Sequence, residues 1–284
     1  MRPPIYAPAY PAPAKLNLDL RITGRRADGY HELESIFCLL DWQDTVYLVP
    51  RSDGVVALHT PTDGLPPEQD LTHRAAAALQ PYAAAGSGVD IWLEKTIPTG
   101  GGLGGGSSDA ATVLMVLNRL WRINLPPVRL REIGLTLGAD VPFFLFGQNA
   151  FAQGMGEILR PCEIPLRHYA IVRPNVHIAT KEIFAHPDLT RDSPSCPDPD
   201  FTALQPFRND MQNVVLAEYP RVAAAFRLLQ AYGQPQMTGS GACLFLACDS
   251  EGEAKFILGK LPEDLEKRHA RGIARHPLAG MLLI

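Results

Sequence analysis

The run Pro98-Thr99-Gly100-Gly101-Gly102-Leu103-Gly104-Gly105-Gly106-Ser107-Ser108-Asp109 has the clearest chemical meaning in the chain. Six of the seven residues from Gly100 to Gly106 are glycine. Without Cβ atoms, the backbone N–H groups of such a loop can close on an anion. A strand-like run (Val89, Ile91, Leu93) precedes it, and a helix-like run (Ala110, Val113, Leu114, Leu117, Leu120, Trp121) follows. The start of that helix brings about half a positive elementary charge to the same place. Loop and helix together predict a phosphate site.

Two familiar phosphate loops fit less well. Gly100-x-Gly102-x-x-Gly105 matches the dinucleotide pattern, but that pattern needs an acidic residue about 20 positions on. Leu125 stands there, followed by two prolines. A Walker A loop needs lysine directly after its last glycine, whereas Ser107 follows Gly106. The bland alternative is a flexible linker. Ser107-Ser108-Asp109 reads as a capping signal ahead of the helix, which a linker would lack.

The elements around this loop follow from local pattern. Residues 1–13 read as an irregular proline-rich lead, and Lys15 to Ile22 as a strand with Leu16, Leu18 and Leu20 alternating. Thr23 to Gly29 is a turn, and Leu33 to Leu40 and Thr45 to Val49 are two further strands. Asp70 to Ala85 is an Ala-rich helix ended by Gly86. Val128 to Leu137 is a helix stopped by Gly138, and Asp140-Val141-Pro142 opens a short apolar turn ending at Gly147. Tyr169 to Arg173 is a strand, and Thr180 caps a short helix that holds Phe184. Residues 185–209, with five prolines and few apolar residues, read as a long surface loop. Val222 to Tyr232 is a helix. Thr238-Gly239-Ser240-Gly241 is a second glycine turn before a strand from Ala242 to Cys248. Strands and helices mix along the chain, which predicts an α+β fold. Composition shifts between 150 and 165, and a boundary there divides the chain into domains 1–157 and 158–284.

The 284 residues, 46% hydrophobic and 20% charged, are ample for a buried core. A net charge of −4 with no long basic run argues against a nucleic-acid partner. No apolar run reaches the roughly 20 residues that a membrane span needs, and no signal peptide is visible. The five cysteines include no CxxC pair, so a reduced, cytoplasmic protein is expected, with Cys243 and Cys248 as buried thiols.

Three segments in order resemble the GHMP small-molecule kinases: Pro13-Ala14-Lys15-Leu16-Asn17-Leu18, Pro98 to Ser108, and Thr238-Gly239-Ser240-Gly241-Ala242. Gly24-Arg25-Arg26-Ala27-Asp28-Gly29-Tyr30-His31-Glu32 and Gly138-Ala139-Asp140-Val141-Pro142-Phe143-Phe144 narrow the match within that family. The likeness runs from residue 13 to about 248. It implies a two-domain α+β fold, with an ATP-binding domain 1–157, a substrate-side domain 158–284 and the active site in the cleft between them. It also implies ATP as co-substrate with Mg2+. The transfer would be to the 2-hydroxyl of 4-diphosphocytidyl-2-C-methyl-D-erythritol, an isoprenoid precursor of the non-mevalonate route. A monomer or weak homodimer is expected.

On spacing alone, Asp140 reads as a helix N-cap and Lys15 as a solvated strand-end lysine. The resemblance makes them a catalytic couple instead. Asp140 would accept or orient the reacting hydroxyl, and Lys15 would offset charge on the transferring phosphoryl. Residues Pro98 to Ser108 would hold the ATP phosphates, with a hydroxyl of Ser107 or Ser108 on phosphate or Mg2+. Asn17 shares a strand face with Lys15 and would bond the substrate's hydroxyl. Tyr30 and Phe184 would clamp the cytosine ring and His31 would read its polar edge. Thr238 and Gly239 would approach the substrate diphosphate. Two alternatives remain: a homoserine or mevalonate kinase of the same family, and a nucleotide-binding module without catalysis.

Overall fold

A computed structural model describes residues 2–60, 65–196 and 207–282. Strands β1 (Ala9–Arg25) and β2 (His31–Arg51) form a long antiparallel hairpin. Two expectations are corrected here. The proline-rich lead becomes strand from Ala9 onward, and the two strands expected between Leu33 and Val49 are one. Residues Ala9 to Pro13 have β2 as their sheet partner. Pro11 and Pro13 lie two apart, so both missing N–H groups fall on one edge, where proline is tolerated.

Strand β3 (Val56–Leu58) lies parallel to β4 (Gly88–Glu94). Between them runs helix α1 (Leu71–Leu79), capped by the Asp70 carboxylate on the Thr72 N–H. The helix is shorter than its Ala-rich sequence suggests, because Pro81 follows and the chain tightens into a 3-10 turn, Gln80–Tyr82. Helices α2 (Gly105–Leu120), α3 (Pro127–Leu137) and α4 (Val141–Phe146) come next. Strands β5 (Ala150–Gln153), β6 (Ile158–Pro161) and β7 (His168–Arg173) precede α5 (Thr180–Ala185). The chain then forms α6 (Gln212–Glu218), α7 (Pro220–Gln230), β8 (Gln236–Met237) and β9 (Leu244–Cys248). Helix α8 (Glu251–Lys260) and β10 (Glu266–Ile273) follow. Helices α6 and α8 and strand β10 were not expected from sequence. Among the described residues, no helix is long and apolar enough to cross a membrane.

The main sheet runs in the order β3-β4-β2-β10-β7-β9-β8. Its two halves join narrowly: β10 pairs with β2 only through Gly272–Leu40 and Ile273–Leu39. One core packs α1 to α4 on the β2–β4 side, around Leu48, Ile91, Leu114, Leu117, Phe143 and Phe144. A second gathers α5 to α8 around Leu20, Ile22, Val172 and Leu244. A third, with Leu16, Leu18, Ile36 and Tyr169, lies along the hairpin and its contact with β7 and β9. Strand β1 supplies residues to all three, which fixes it as the axis of the molecule.

Helix α4 shows how packing overrides local preference. Six residues are too few for a helix to persist alone. Val141, Pro142, Phe143, Phe144 and Leu145 are all buried, and each large apolar side chain contributes about 1.5–3 kcal/mol on burial. That burial fixes Asp140 immediately before the helix. The expected surface loop 185–209 is also corrected over its described part. Leu189 sits in the second core, Ser193 N–H donates to Ile22 O (3.0 Å), and Cys196 N–H donates to the buried Glu34 carboxylate (2.9 Å). Residues 197–206 of that loop lie outside the described residues.

Candidate active site

Strand β1 is buried on both faces from Ala12 to Leu20. Leu16 and Leu18 pack into the core along the hairpin while Lys15 and Asn17 line the cleft, and past the irregularity between Asn17 and Asp19 it is Leu20, not Asp19, that lines it. Irregularities in the β1–β2 register, between Pro13 and Lys15 and between Asn17 and Asp19, bracket this segment. Such bulges re-aim side chains. The Lys15 ammonium donates to Asn17 Oδ1 (2.6 Å), and Asn17 Nδ2 donates to Ser35 Oγ (2.8 Å), which donates to Asp19 O (2.6 Å). Lys15 is almost wholly buried, and its Nζ lies 3.5 Å from Asp140 Oδ2. The Asp140 carboxylate is about one-third exposed. Asp140 occupies the N-cap position of α4 but makes no capping bond, so its oxygens are left for Lys15 and the cleft.

The glycine run closes over this couple. Lys15 N–H donates to Leu103 O (2.9 Å), and Thr238 Oγ1 both accepts from Asn17 N–H (3.0 Å) and donates to Gly102 O (3.2 Å). Two positions require glycine for different reasons. At Gly102 (φ +77°), a Cβ would fall 2.2 Å from Thr238 O, so the two glycine turns touch. At Gly104 (φ +71°), it would fall 3.0 Å from the Phe144 ring and 3.2 Å from Lys15 Cε. The result is an open cleft of about 540 Å³, lined by Pro98 to Ser107 with Lys15, Asn17, Asp140, Phe184 and Gly239.

The capping expectation is wrong. Helix α2 starts at Gly105, its N-cap is Gly104 in the left-handed region, and no side chain caps it. Ser107, Ser108 and Asp109 therefore lie inside the helix, with Asp109 already past its first turn. Ser107 lines the cleft. Ser108 is fully buried and outside the lining, and its Oγ has no partner among the described residues. Asp109 turns inward to a second lysine: Lys95 Nζ donates to Asp109 Oδ2 (2.5 Å) and to Asp44 Oδ2. Asp44, fully buried, also accepts from the N–H groups of Thr96 (2.5 Å) and Ile97 (2.8 Å). This triad ties the strand before the glycine run to the helix after it. Burial pushes the Asp109 carboxyl up, to about 7, against the opposing pull of Lys95. Burial alone would depress Lys95, but Asp109 and Asp44 outweigh it and raise its proton affinity.

On the other wall, the expected clamp of Tyr30 against Phe184 is not formed. Tyr30 stands at the hairpin tip and is largely exposed. The ring stacked on Phe184 is His31, with centroids 4.8 Å apart and planes 22° apart. Arg191 Nε donates to His31 Nε2 (3.2 Å). Thr238 is buried behind the cleft, while Gly239 reaches its surface. Asp44, Lys95 and Arg191 escaped sequence reasoning. Asp44 and Lys95 are 51 positions apart, and Arg191 sits in a stretch that reads as a loop, so no local spacing marks them.

Known proteins resemble this chain in sequence and fold. The model of the GHMP kinases N terminal domain matches residues 70–148, and that of the GHMP kinases C terminal matches residues 196–267. The chain is 58% identical to the 4-diphosphocytidyl-2-C-methyl-D-erythritol kinase of Neisseria meningitidis, over 95% of this chain and 96% of that one. It is 50% identical to the enzyme of that name from Thiobacillus denitrificans, over 95% and 97%. A crystal structure of 4-(cytidine 5'-diphospho)-2C-methyl-D-erythritol kinase superposes with a TM-score of 0.81 at 31% identity, covering 93% of this chain and 99% of that one. The mevalonate kinase of Methanococcus jannaschii shares the fold, with a TM-score of 0.68 at 15% identity over 95% and 100%. The chain belongs to the GHMP kinase family.

Proposed function

We propose that this chain transfers the γ-phosphoryl group of ATP to the 2-hydroxyl of 4-diphosphocytidyl-2-C-methyl-D-erythritol, a step in non-mevalonate isoprenoid precursor synthesis. The observation that carries the reading is the Lys15–Asp140 couple, 3.5 Å apart at the floor of a glycine-walled cleft. The relatives named for this reaction, matched over nearly their whole length, supply the substrate. The mevalonate and homoserine alternatives rest on neighbours at 15% identity, which share the fold alone.

In phosphoryl transfer the protein mainly positions groups and stabilises charge. Backbone N–H groups of Thr99 to Ser107 would hold the phosphates, with Pro98 at the edge of the run and the start of α2 reinforcing them. Asp140 would orient the hydroxyl and accept its proton. Lys15, fixed by Asn17, would face the transferring oxygens, where its charge stabilises what develops there. Asn17 would tether Lys15 through Oδ1 and, lining the cleft, bond the substrate's hydroxyl with the second donor of its Nδ2, the first being given to Ser35. Phe184 and His31 would form the wall against which the base stacks, with Tyr30 at the rim. Thr238 and Gly239 would support the substrate diphosphate from the second glycine turn. The division into a nucleotide domain, 1–157, and a substrate domain, 158–284, is part of the same proposal.

Magnesium on a nucleotide takes one or two protein carboxylates and otherwise phosphate and water oxygens. Among the described residues, no cluster of three or more His, Cys, Asp or Glu could hold a metal alone. Ser107, which lines the cleft, fits this sparser donor set beside phosphate and water oxygens. Bound there with ATP, the ion would neutralise charge on the β- and γ-phosphate oxygens. A coupled ADP-release assay tests the reading. The cytidyl-diphosphate alcohol should support turnover, while CDP, CTP, homoserine and mevalonate should not. Turnover of mevalonate or homoserine in its place would overturn the reading.

A further inference from the structure

Arg191 makes four hydrogen bonds that converge on the His31–Phe184 stack. Its two terminal nitrogens donate to Phe184 O (2.9 Å), His186 O (2.7 Å) and Leu189 O (2.9 Å), the first of these in the last turn of α5. Carbonyls at a helix end have no partner within the helix. Its Nε donates to His31 Nε2 (3.2 Å). One planar guanidinium therefore fixes both members of the His31–Phe184 stack.

The chemistry of this contact is directional. Arginine has only donors and does not lose its proton in proteins. His31 Nε2 must then offer a lone pair, so the ring's single proton sits on Nδ1. A doubly protonated imidazole has no lone pair to offer. The neighbouring charges act in the same sense. Burial first, then Arg191 and Arg25, lower the proton affinity of His31. Arg26 and Glu32, on the adjoining turn, pair with each other (3.5 Å).

We propose that Arg191 is a positioning residue for base recognition, presenting His31 as the neutral Nδ1–H tautomer, a donor matched to the ring-nitrogen and carbonyl acceptors of a pyrimidine such as cytosine. This rests on the reading that the substrate carries a cytidyl group. Lysine cannot replace the fork, because one ammonium cannot serve three carbonyls and an imidazole from a single planar group.

The test uses the full chain. Long-range proton–nitrogen spectra of the histidine side chains, with His31 assigned through His31→Gln, should show a protonated Nδ1 and an acceptor Nε2 from pH 6 to 8. Arg191→Gln should raise KM for the cytidyl substrate by roughly tenfold, as expected for losing a hydrogen bond to a charged group. Its kcat and its KM for ATP should stay within about twofold, the pattern of lost substrate binding. In Arg191→Gln, KM for the cytidyl substrate should also begin to climb at a higher pH than in the wild type as the solution is acidified, because burial and Arg25 still lower the proton affinity of His31 but Arg191 no longer does. The wild type should still be flat at that pH. Arg191→Lys keeps the charge and should keep the flat profile while losing part of the affinity.

A wild-type spectrum with the proton on Nε2 would overturn the proposal, as would equal rises in both KM values. If Arg191→Gln does not fold, the wild-type spectrum decides alone. If the wild type ignores the cytidyl substrate, the functional reading falls, while the spectrum still rules on the Arg191–His31 bond.

Discussion

Two lysine–aspartate groups border the same cleft and are built in opposite ways. Lys95 is held by Asp44 and Asp109, with Asp44 also saturated by two backbone N–H groups. Lys15 has a longer contact, 3.5 Å, to an Asp140 carboxylate that is about one-third exposed and caps nothing. Asp44, engaged by Lys95 and two backbone N–H groups, cannot take a proton from a substrate. A carboxylate that meets a single cation and faces the cleft can. The difference separates a fastening, which shapes the glycine run, from a reacting couple, which uses that shape.

Breaking the reacting couple should have the largest effect. Asp140→Asn keeps the size but removes the base, and should lower kcat by about 10²–10⁴. ATP affinity and thermal stability should change little. Near-normal turnover would remove Asp140 from the chemistry. Breaking the fastening should do the reverse. Asp44→Ala removes one partner of a buried ion group, and should destabilise the fold by about 3–5 kcal/mol. Urea unfolding would read this, with kcat per folded molecule largely kept. A kcat loss without a stability loss would erase the distinction.

The smallest effect sharpens the contrast through pH. Asp109 has a raised proton affinity in the folded state, so between about pH 4 and pH 7 the folded chain holds a proton that the unfolded chain releases. Its contribution is therefore present in acid and lost as pH rises towards 7. Relative to Asp109→Asn, the wild type should lose stability over that window, read as the difference in urea midpoints at pH 5 and pH 8. A difference that does not change with pH would show that Asp109 is an ordinary ionised carboxylate.

What the sequence carried, and what it did not, divides along the same line. The glycine run, Lys15 and Asp140 lie in short motifs whose residue types are unusual enough to read locally. Their grouping into one cleft was read from resemblance, and the 3.5 Å contact places two of them together. The fastening was illegible because Asp44, Lys95 and Asp109 meet only through the fold. The capping misreading at Ser107 to Asp109 has a physical source. These residues favour N-caps, but Gly104 reached the left-handed region first and the helix began under it. Strand β1 was cut short for a similar reason, since Pro11 and Pro13 argue against a strand until its edge position is known. Arg191 looked like part of a polar loop because three of its acceptors are main-chain carbonyls of the adjoining stretch 184–189, which no side-chain pattern marks, and the fourth is a distant ring.

The bracketed segment of β1 has one more consequence. Side chains alternate along a strand, so a slip by one place would turn Leu16 and Leu18 towards the cleft and bury the Lys15 ammonium among hydrocarbon. The two irregularities and the bond from Lys15 N–H to Leu103 O pin the phase. Tolerance here should thus depend on the kind of genetic change. Single replacements at Pro11 or Ala12 would leave the phase intact, whereas deleting or inserting one codon between the two irregularities would exchange the wet and oily sides of the strand at a stroke.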